Sequence, residues 1–133
     1  MAAAPPTFRF DRATAVRARD DEPMTYDVEI DPSFTVGPKA HGGYLLATAA
    51  RAAGAAAGAA GSPHRDPLAA TAHFLASPDP GPATVEVQVL RTGRSASQVR
   101  TTIVQHGVAQ VDASFTLASL PEAPSGAAWS DVP

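Results

Sequence analysis

The sequence predicts an α+β domain in which an antiparallel sheet wraps around one long central helix. Three observations lead there. The run from His41 to Ala60, HGGYLLATAARAAGAAAGAA, is apolar on every side except at Thr48 and Arg51, and a helix of that kind is buried rather than laid on a surface. Before it stands one clearly alternating segment, Thr25 to Ile30. After it come only strand-like segments joined by short turns, the pattern of helix and sheet segregated along one chain.

Each element has its own local signals. Met1 to Pro6 reads as a loose arm, with Phe8 and Phe10 the first anchors, and Thr14 to Ala18 as a short strand before a polar turn at Arg19 to Pro23. Thr25 to Ile30 alternates, with Tyr26, Val28 and Ile30 on the inner face and Asp27 and Glu29 on the outer one. Asp31 and Pro32 end it, and Ser33 to Ala40 is read as the loop that delivers the chain to the helix. Gly37 and Pro38 break the chain before the helix, and Gly61, Ser62 and Pro63 stop it.

At about 1.5 Å per residue the helix is about 27 Å long, close to the thickness of a bilayer core. A membrane span is excluded because Ala and Gly fill most positions and Arg51 sits in the middle, where a charge costs about 2.5 kcal/mol or more.

Beyond Pro63, Leu68 to Leu75 makes a strand that ends at the breaker run Ser77 to Pro82. Thr84 to Leu90 alternates with Val85, Val87 and Val89 inward. A turn at Gly93 to Ala96 leads to Ser97 to Gln105, with Val99, Thr101 and Ile103 on one face. His106-Gly107 is a hairpin reversal, and Val108 to Leu117 carries Val111, Ala113, Phe115 and Leu117 inward. Residues 1–120 are read as one domain. From Pro121 onward Pro, Gly, Ser and Ala return, and 121–133, with Trp129, is read as a tail or the start of a linker.

Composition narrows the function classes. Of the 133 residues 29 are Ala, and Val, Ile, Leu and Phe together number only 25. That is a thin core, so the chain is expected to complete its core or sheet against a second copy or a second domain. A net charge of -3 and a single Lys among scattered Arg argue against nucleic acid. The absence of Cys excludes disulfides, thiolate metal sites and a Cys nucleophile. The start, MAAAPPTF, lacks the basic and apolar regions of a signal peptide, which makes a cytoplasmic location the expectation.

Several motifs occur in a fixed order: His41-Gly42-Gly43-Tyr44-Leu45-Leu46-Ala47 opening the helix, His73-Phe74-Leu75 with Pro78, and Val89-Leu90-Arg91-Thr92-Gly93-Arg94-Ser95 at a turn. Gln105-His106-Gly107 and Ala113-Ser114-Phe115 follow. In these the chain resembles the hotdog fold, and more narrowly the N-terminal half of the bacterial double-hotdog (type II) acyl-CoA thioesterases. The resemblance runs from about Phe8 to Trp129. It implies fatty or other acyl groups on coenzyme A, hydrolysed without metal or organic cofactor, and a partner that is either a second copy in a homodimer or a second hotdog domain.

Thioester hydrolysis needs a donor to polarise the carbonyl and a carboxylate to activate water or attack. Free amides at a helix N-terminus suit a developing oxyanion, so Gly42, Gly43 and Tyr44 are candidate oxyanion-site amides. An alternative reading, equally open, is that the glycines only permit a tight turn into the helix. His41 is either a group that orients a carbonyl or a cap. His73 is a candidate substrate contact or a hydrogen-bonded core histidine. Arg91, Arg94 and Ser95, with Arg100 nearby, are candidates for the phosphates of coenzyme A, or simply a solvated turn. His41, His64 and His73 lack the spacing of a zinc site, and no metal site is expected.

The carboxylate is missing. In single-hotdog thioesterases with a His-Gly-Gly opening the resemblance places the acid nine residues after the His, and here that position is Ala50, with no Asp or Glu anywhere from His41 to Ala60. In the double-hotdog enzymes the acid, with Thr and Gln helpers, comes from the second half. Two readings remain: a thioesterase or its substrate-binding half, and a non-catalytic hotdog module for dimerisation and acyl binding.

Overall fold

The computed structural model describes residues 8–122. A short helix α1 (Arg9–Ala13) leads to β1 (Arg17–Ala18), β2 (Thr25–Ile30), a small hairpin of β3 (Thr35–Val36) and β4 (Lys39–Ala40), and then the long helix α2 (Gly42–Ala59). Four strands follow: β5 (Asp66–Phe74), β6 (Gly81–Thr92), β7 (Ser97–Gln105) and β8 (Val108–Ala118). Six strands make one antiparallel sheet in the order β1-β2-β6-β7-β8-β5, and α2 packs across β6, β7 and β8. This is the predicted α+β arrangement.

The core forms where the alternation says it should. Tyr26, Val28 and Ile30 of β2, Val85 and Val87 of β6, Val99 and Ile103 of β7, and Val111, Phe115 and Leu117 of β8 all turn inward and are buried. They meet Tyr44, Leu45, Ala49, Ala52, Ala53, Ala56 and Ala57 of the helix. Alanine on the helix lets its axis lie close to the sheet, which is how a chain with few large apolar residues still fills its interior. The β7–β8 reversal at His106 and Gly107 has positive φ at both residues, 53° and 74°, the geometry that favours the right-handed twist of a hairpin.

Gln105, buried at that end, accepts from the Asp79 amide at 2.8 Å and donates to the Asp79 and Pro82 carbonyls at 2.9 and 3.2 Å. It fixes the irregular, Pro-rich link between β5 and β6.

Four expectations change. The loop at residues 33–40 contains the β3–β4 hairpin, turned at Gly37 with φ 62°. Phe8 does not anchor the arm, being 74% exposed, while Phe10 packs edge-on to Phe34 at 5.5 Å. The segment at residues 14–18 is a strand only at Arg17–Ala18, because residues 9–13 are helical. The helix is not buried on all sides either: Arg51, Ala55 and Ala59 are exposed and Ala47 and Ala50 half-exposed along one stripe. Beside that stripe lies β5, an edge strand whose Leu68 and Phe74, with the following Leu75, are more than half exposed. The predicted tail, apart from Pro121 and Glu122, and its Trp129 lie outside the described residues.

Candidate functional site

The N-terminus of α2 is assembled by two neighbours in sequence. His41 is extended, with φ -69° and ψ 132°, and its Nδ1 accepts the Gly43 amide at 3.1 Å while its carbonyl accepts the Leu45 amide at 3.1 Å. The imidazole is the helix cap. That leaves the amides of Gly42 and Tyr44 as first-turn donors without a partner among the described residues. Both stand at the positive end of an 18-residue helix dipole with no acidic residue in its first turn. The Phe74 ring closes over Gly42, where an added Cβ would come within 3.3 Å of the ring edge.

The Tyr44 side chain works in the other direction. Its hydroxyl donates to the Ala13 carbonyl at 2.8 Å, accepts from the Asp31 amide at 3.0 Å, and lies 3.1 Å from the Glu29 carbonyl. The ring stacks on Phe34 at 5.1 Å. Burial pushes the phenol above its ordinary pKa, so it stays neutral and ties α1, β2 and α2 together.

The predicted site residues fall into three places. His41, Gly42, Gly43 and the Tyr44 amide are together at the start of α2. Arg94 and Ser95 belong to the β6–β7 turn and Arg91 to the end of β6 beside it, and all three are exposed. That turn lies near the other end of the helix: the Arg94 carbonyl contacts His64, just past the helix C-terminus, at 3.2 Å. Within one chain the two groups are separated by roughly the length of α2, about 27 Å.

His73 occupies the third place. It pairs across from Asp112 of β8, on the face of the sheet turned away from α2, where it is exposed and not a core histidine. Arg100 also stands on that face rather than at the turn, held to Asp112 by bonds of 3.0 and 2.6 Å. Those hydrogen bonds, aided by the positive charges of Arg100 and His73, keep the Asp112 carboxyl below the usual carboxylate range.

Beside the exposed stripe of α2 runs a groove of about 410 Å³ lined by Ala47, Ala50, Arg51, Gly54, Ala55, Arg65 and Pro67. Its floor is apolar and its charged groups are both guanidinium. Among the described residues Arg51 is bound to neutral acceptors, the Asp11 carbonyl at 2.5 Å and Thr14 Oγ1 at 3.0 Å. Position 50, where the resemblance to single-hotdog thioesterases places an acid, faces this groove as alanine.

Sequence reasoning missed one buried polar cluster. Ser62, His64 and Ser97 join at the C-terminal end of α2. No spacing signal announces it, because Ser62 reads only as part of a helix stop and Ser97 is 35 residues away.

A capped helix with open first-turn amides, an uncovered apolar flank and no carboxylate on the helix is now joined by a match of residues 30–118 to the family model described as acyl-CoA thioesterase N-terminal domain. The chain belongs to this family. An uncharacterized protein of Mycobacterium tuberculosis is 38% identical over 114 residues, covering 81% of this chain and 39% of the relative. A crystal structure of a candidate thioesterase II from Thermobifida fusca YX superposes with a TM-score of 0.77 at 34% identity, covering 91% of this chain and 43% of the other. A hot dog fold protein from Alicyclobacillus acidocaldarius gives 0.71 at 26% identity, with 96% and 47% covered. This member of the acyl-CoA thioesterase N-terminal domain family has the hotdog fold and spans about two fifths of the length of its mycobacterial relative.

Proposed function

We propose that this domain binds acyl-CoA thioesters as one member of a pair of hotdog units, and that the carboxylate for hydrolysis comes from outside the domain. One observation carries the reading: the open amides of Gly42 and Tyr44 stand at the head of a helix whose exposed flank, from Ala47 to Ala59, offers an apolar wall and no acid. An amide pair at a helix N-terminus polarises a thioester carbonyl. Water activation needs a base that α2 does not carry.

Pairing accounts for the separated groups. The exposed β5 edge invites a second sheet, whether from a copy of this chain or from a following hotdog domain. A two-fold axis perpendicular to the sheet makes the paired edges, and the helices beside them, antiparallel. The β6–β7 turn of one unit then moves toward the helix N-terminus of the other, so that Arg91 and Arg94 of one unit hold phosphates while the amides of the other hold the thioester. His73, on the opposite face, is outside this arrangement.

A non-catalytic hotdog module for dimerisation and acyl binding, favoured by the missing acid, shares this ligand; the reading opposed to both is a module that pairs but takes no ligand. Titration calorimetry with a medium-chain acyl-CoA decides. Saturable binding supports the proposal, and the absence of heat at millimolar ligand with folded, paired protein supports the ligand-free module.

A further inference from the structure

With a neutral imidazole, the buried cluster at the far end of α2 has a single consistent direction. His64 Nε2 lies 3.2 Å from the Arg94 carbonyl, and a carbonyl oxygen only accepts, so Nε2 carries the proton. Nδ1 is then an acceptor and takes the Ser97 hydroxyl proton at 3.0 Å. The Ser97 oxygen in turn accepts from the Ser62 hydroxyl at 2.8 Å, and the Ser62 oxygen accepts the His64 amide at 3.0 Å. All three side chains are buried, at 3%, 4% and 0% exposure for Ser62, His64 and Ser97.

The chain of bonds ends on a particular peptide. The turn joining β6 to β7 is closed at its base by the Gly93 amide on the Ala96 carbonyl at 2.8 Å. At its tip the hydrogen bond recorded to the rest of the fold is that from His64 to the Arg94 carbonyl. The peptide that His64 grips is therefore the one from which the exposed Arg94 side chain springs, with Ser95 next to it. A buried serine-histidine chain is well placed to fix that orientation, since each group is satisfied only while the turn stays where it is.

We propose that Ser62, Ser97 and His64 are positioning residues for phosphate recognition: they hold the β6–β7 turn so that Arg91 and Arg94 meet the phosphates of coenzyme A. This rests on the acyl-CoA reading above and deepens it. None of the three touches ligand, and none is offered as a nucleophile, because Ser97 is fully enclosed. Their effect falls on the nucleotide end of the ligand and leaves the acyl and pantetheine end alone.

Two amide substitutions at one position test this. The amide nitrogen of Gln reaches the place of Nε2, whereas that of Asn reaches only the place of Nδ1. His64→Gln is expected to keep the bond to Arg94 and bind hexanoyl-CoA within about twofold of the parent. His64→Asn and Ser97→Ala are expected to weaken hexanoyl-CoA about tenfold while leaving hexanoyl-pantetheine, which lacks the nucleotide phosphates, unchanged. The probes are titrated calorimetrically into the full chain, with circular dichroism confirming the fold. If either variant fails to fold, Ser62→Ala, which removes only the outer link, is read the same way with a smaller loss expected.

Equal losses for both ligands, or no loss for either in folded protein, overturn the positioning role. The double variant Arg91→Ala/Arg94→Ala tells the two failures apart. If it weakens hexanoyl-CoA while His64→Asn does not, only the positioning role is lost; if it changes nothing, the phosphate reading of the turn falls and takes the proposal with it.

Discussion

The His41 imidazole accepts the amide proton of Gly43 at 3.1 Å. Of the four first donors of α2, the His41 amide donates to the Phe34 carbonyl at 2.9 Å and the Gly43 amide to the His41 ring, while Gly42 and Tyr44 remain available among the described residues. The residue that sequence reasoning offered as either catalyst or cap is therefore what decides which amides can face a thioester. His41→Ala is expected to cost about 1 kcal/mol through the lost cap, and His41→Asn to recover most of it. Thermal melts check this, and a folded His41→Asn that loses acyl-CoA affinity tenfold would show that the imidazole itself contacts ligand.

Tyr44→Phe removes a hydroxyl that joins three segments and leaves the Ala13 carbonyl and the Asp31 amide without that partner. The expected loss is about 1–3 kcal/mol. Urea titration measures it, and a loss below about 0.5 kcal/mol means that water replaces the hydroxyl at no cost.

The Arg100–Asp112 pair makes a pH prediction with a definite sign. The Asp112 carboxyl is depressed in the folded state, so its contribution is complete above the unfolded carboxylate pKa of about 3.9 and is lost as the pH falls through the lower folded value. The pair is partly exposed, at 52% and 25% for its side chains, so solvent and salt screen it and its contribution is small. Arg100→Met should lower stability at pH 7 and bring it close to the parent near pH 2. A difference of the same size at both pH values would contradict the assignment.

Ala50→Asp tests the groove. Position 50 lies two turns into α2 and lines the cleft with Arg51 and Arg65. A carboxylate there is expected to lower the melting temperature, since a half-buried acid loses hydration, yet to raise acyl-CoA hydrolysis above the parent. Ala50→Asn should give the first effect without the second. If neither variant hydrolyses while both stay folded and bind ligand, position 50 does not face the thioester.

The parts of the fold legible in sequence are those governed by local period and punctuation. Alternation placed Thr25–Ile30 and the inward valines of β6, and the breakers at Pro38 and Ser62 bracketed α2, because side-chain period and turn chemistry act over a few residues. What escaped depends on distance in sequence. The exposed stripe of α2 was illegible because alanine serves a buried wall and an uncovered one equally well. His73 was misjudged as a core histidine because the face a residue takes on β5 is set by register with β8, and the bulge between Pro67 and Ala69 shifts that register. The Ser62–His64–Ser97 cluster joins the end of a helix to the start of a strand 33 to 35 residues on, and no local pattern encodes such a pairing.

The central claim is that this domain binds acyl-CoA but does not carry the group that hydrolyses it. Its most direct test is thiol release from a saturating medium-chain acyl-CoA by the purified chain. The account predicts a rate near the uncatalysed background. Rapid turnover by the isolated chain would contradict it and require a carboxylate of its own, such as Asp66 or Asp112, to reach the thioester.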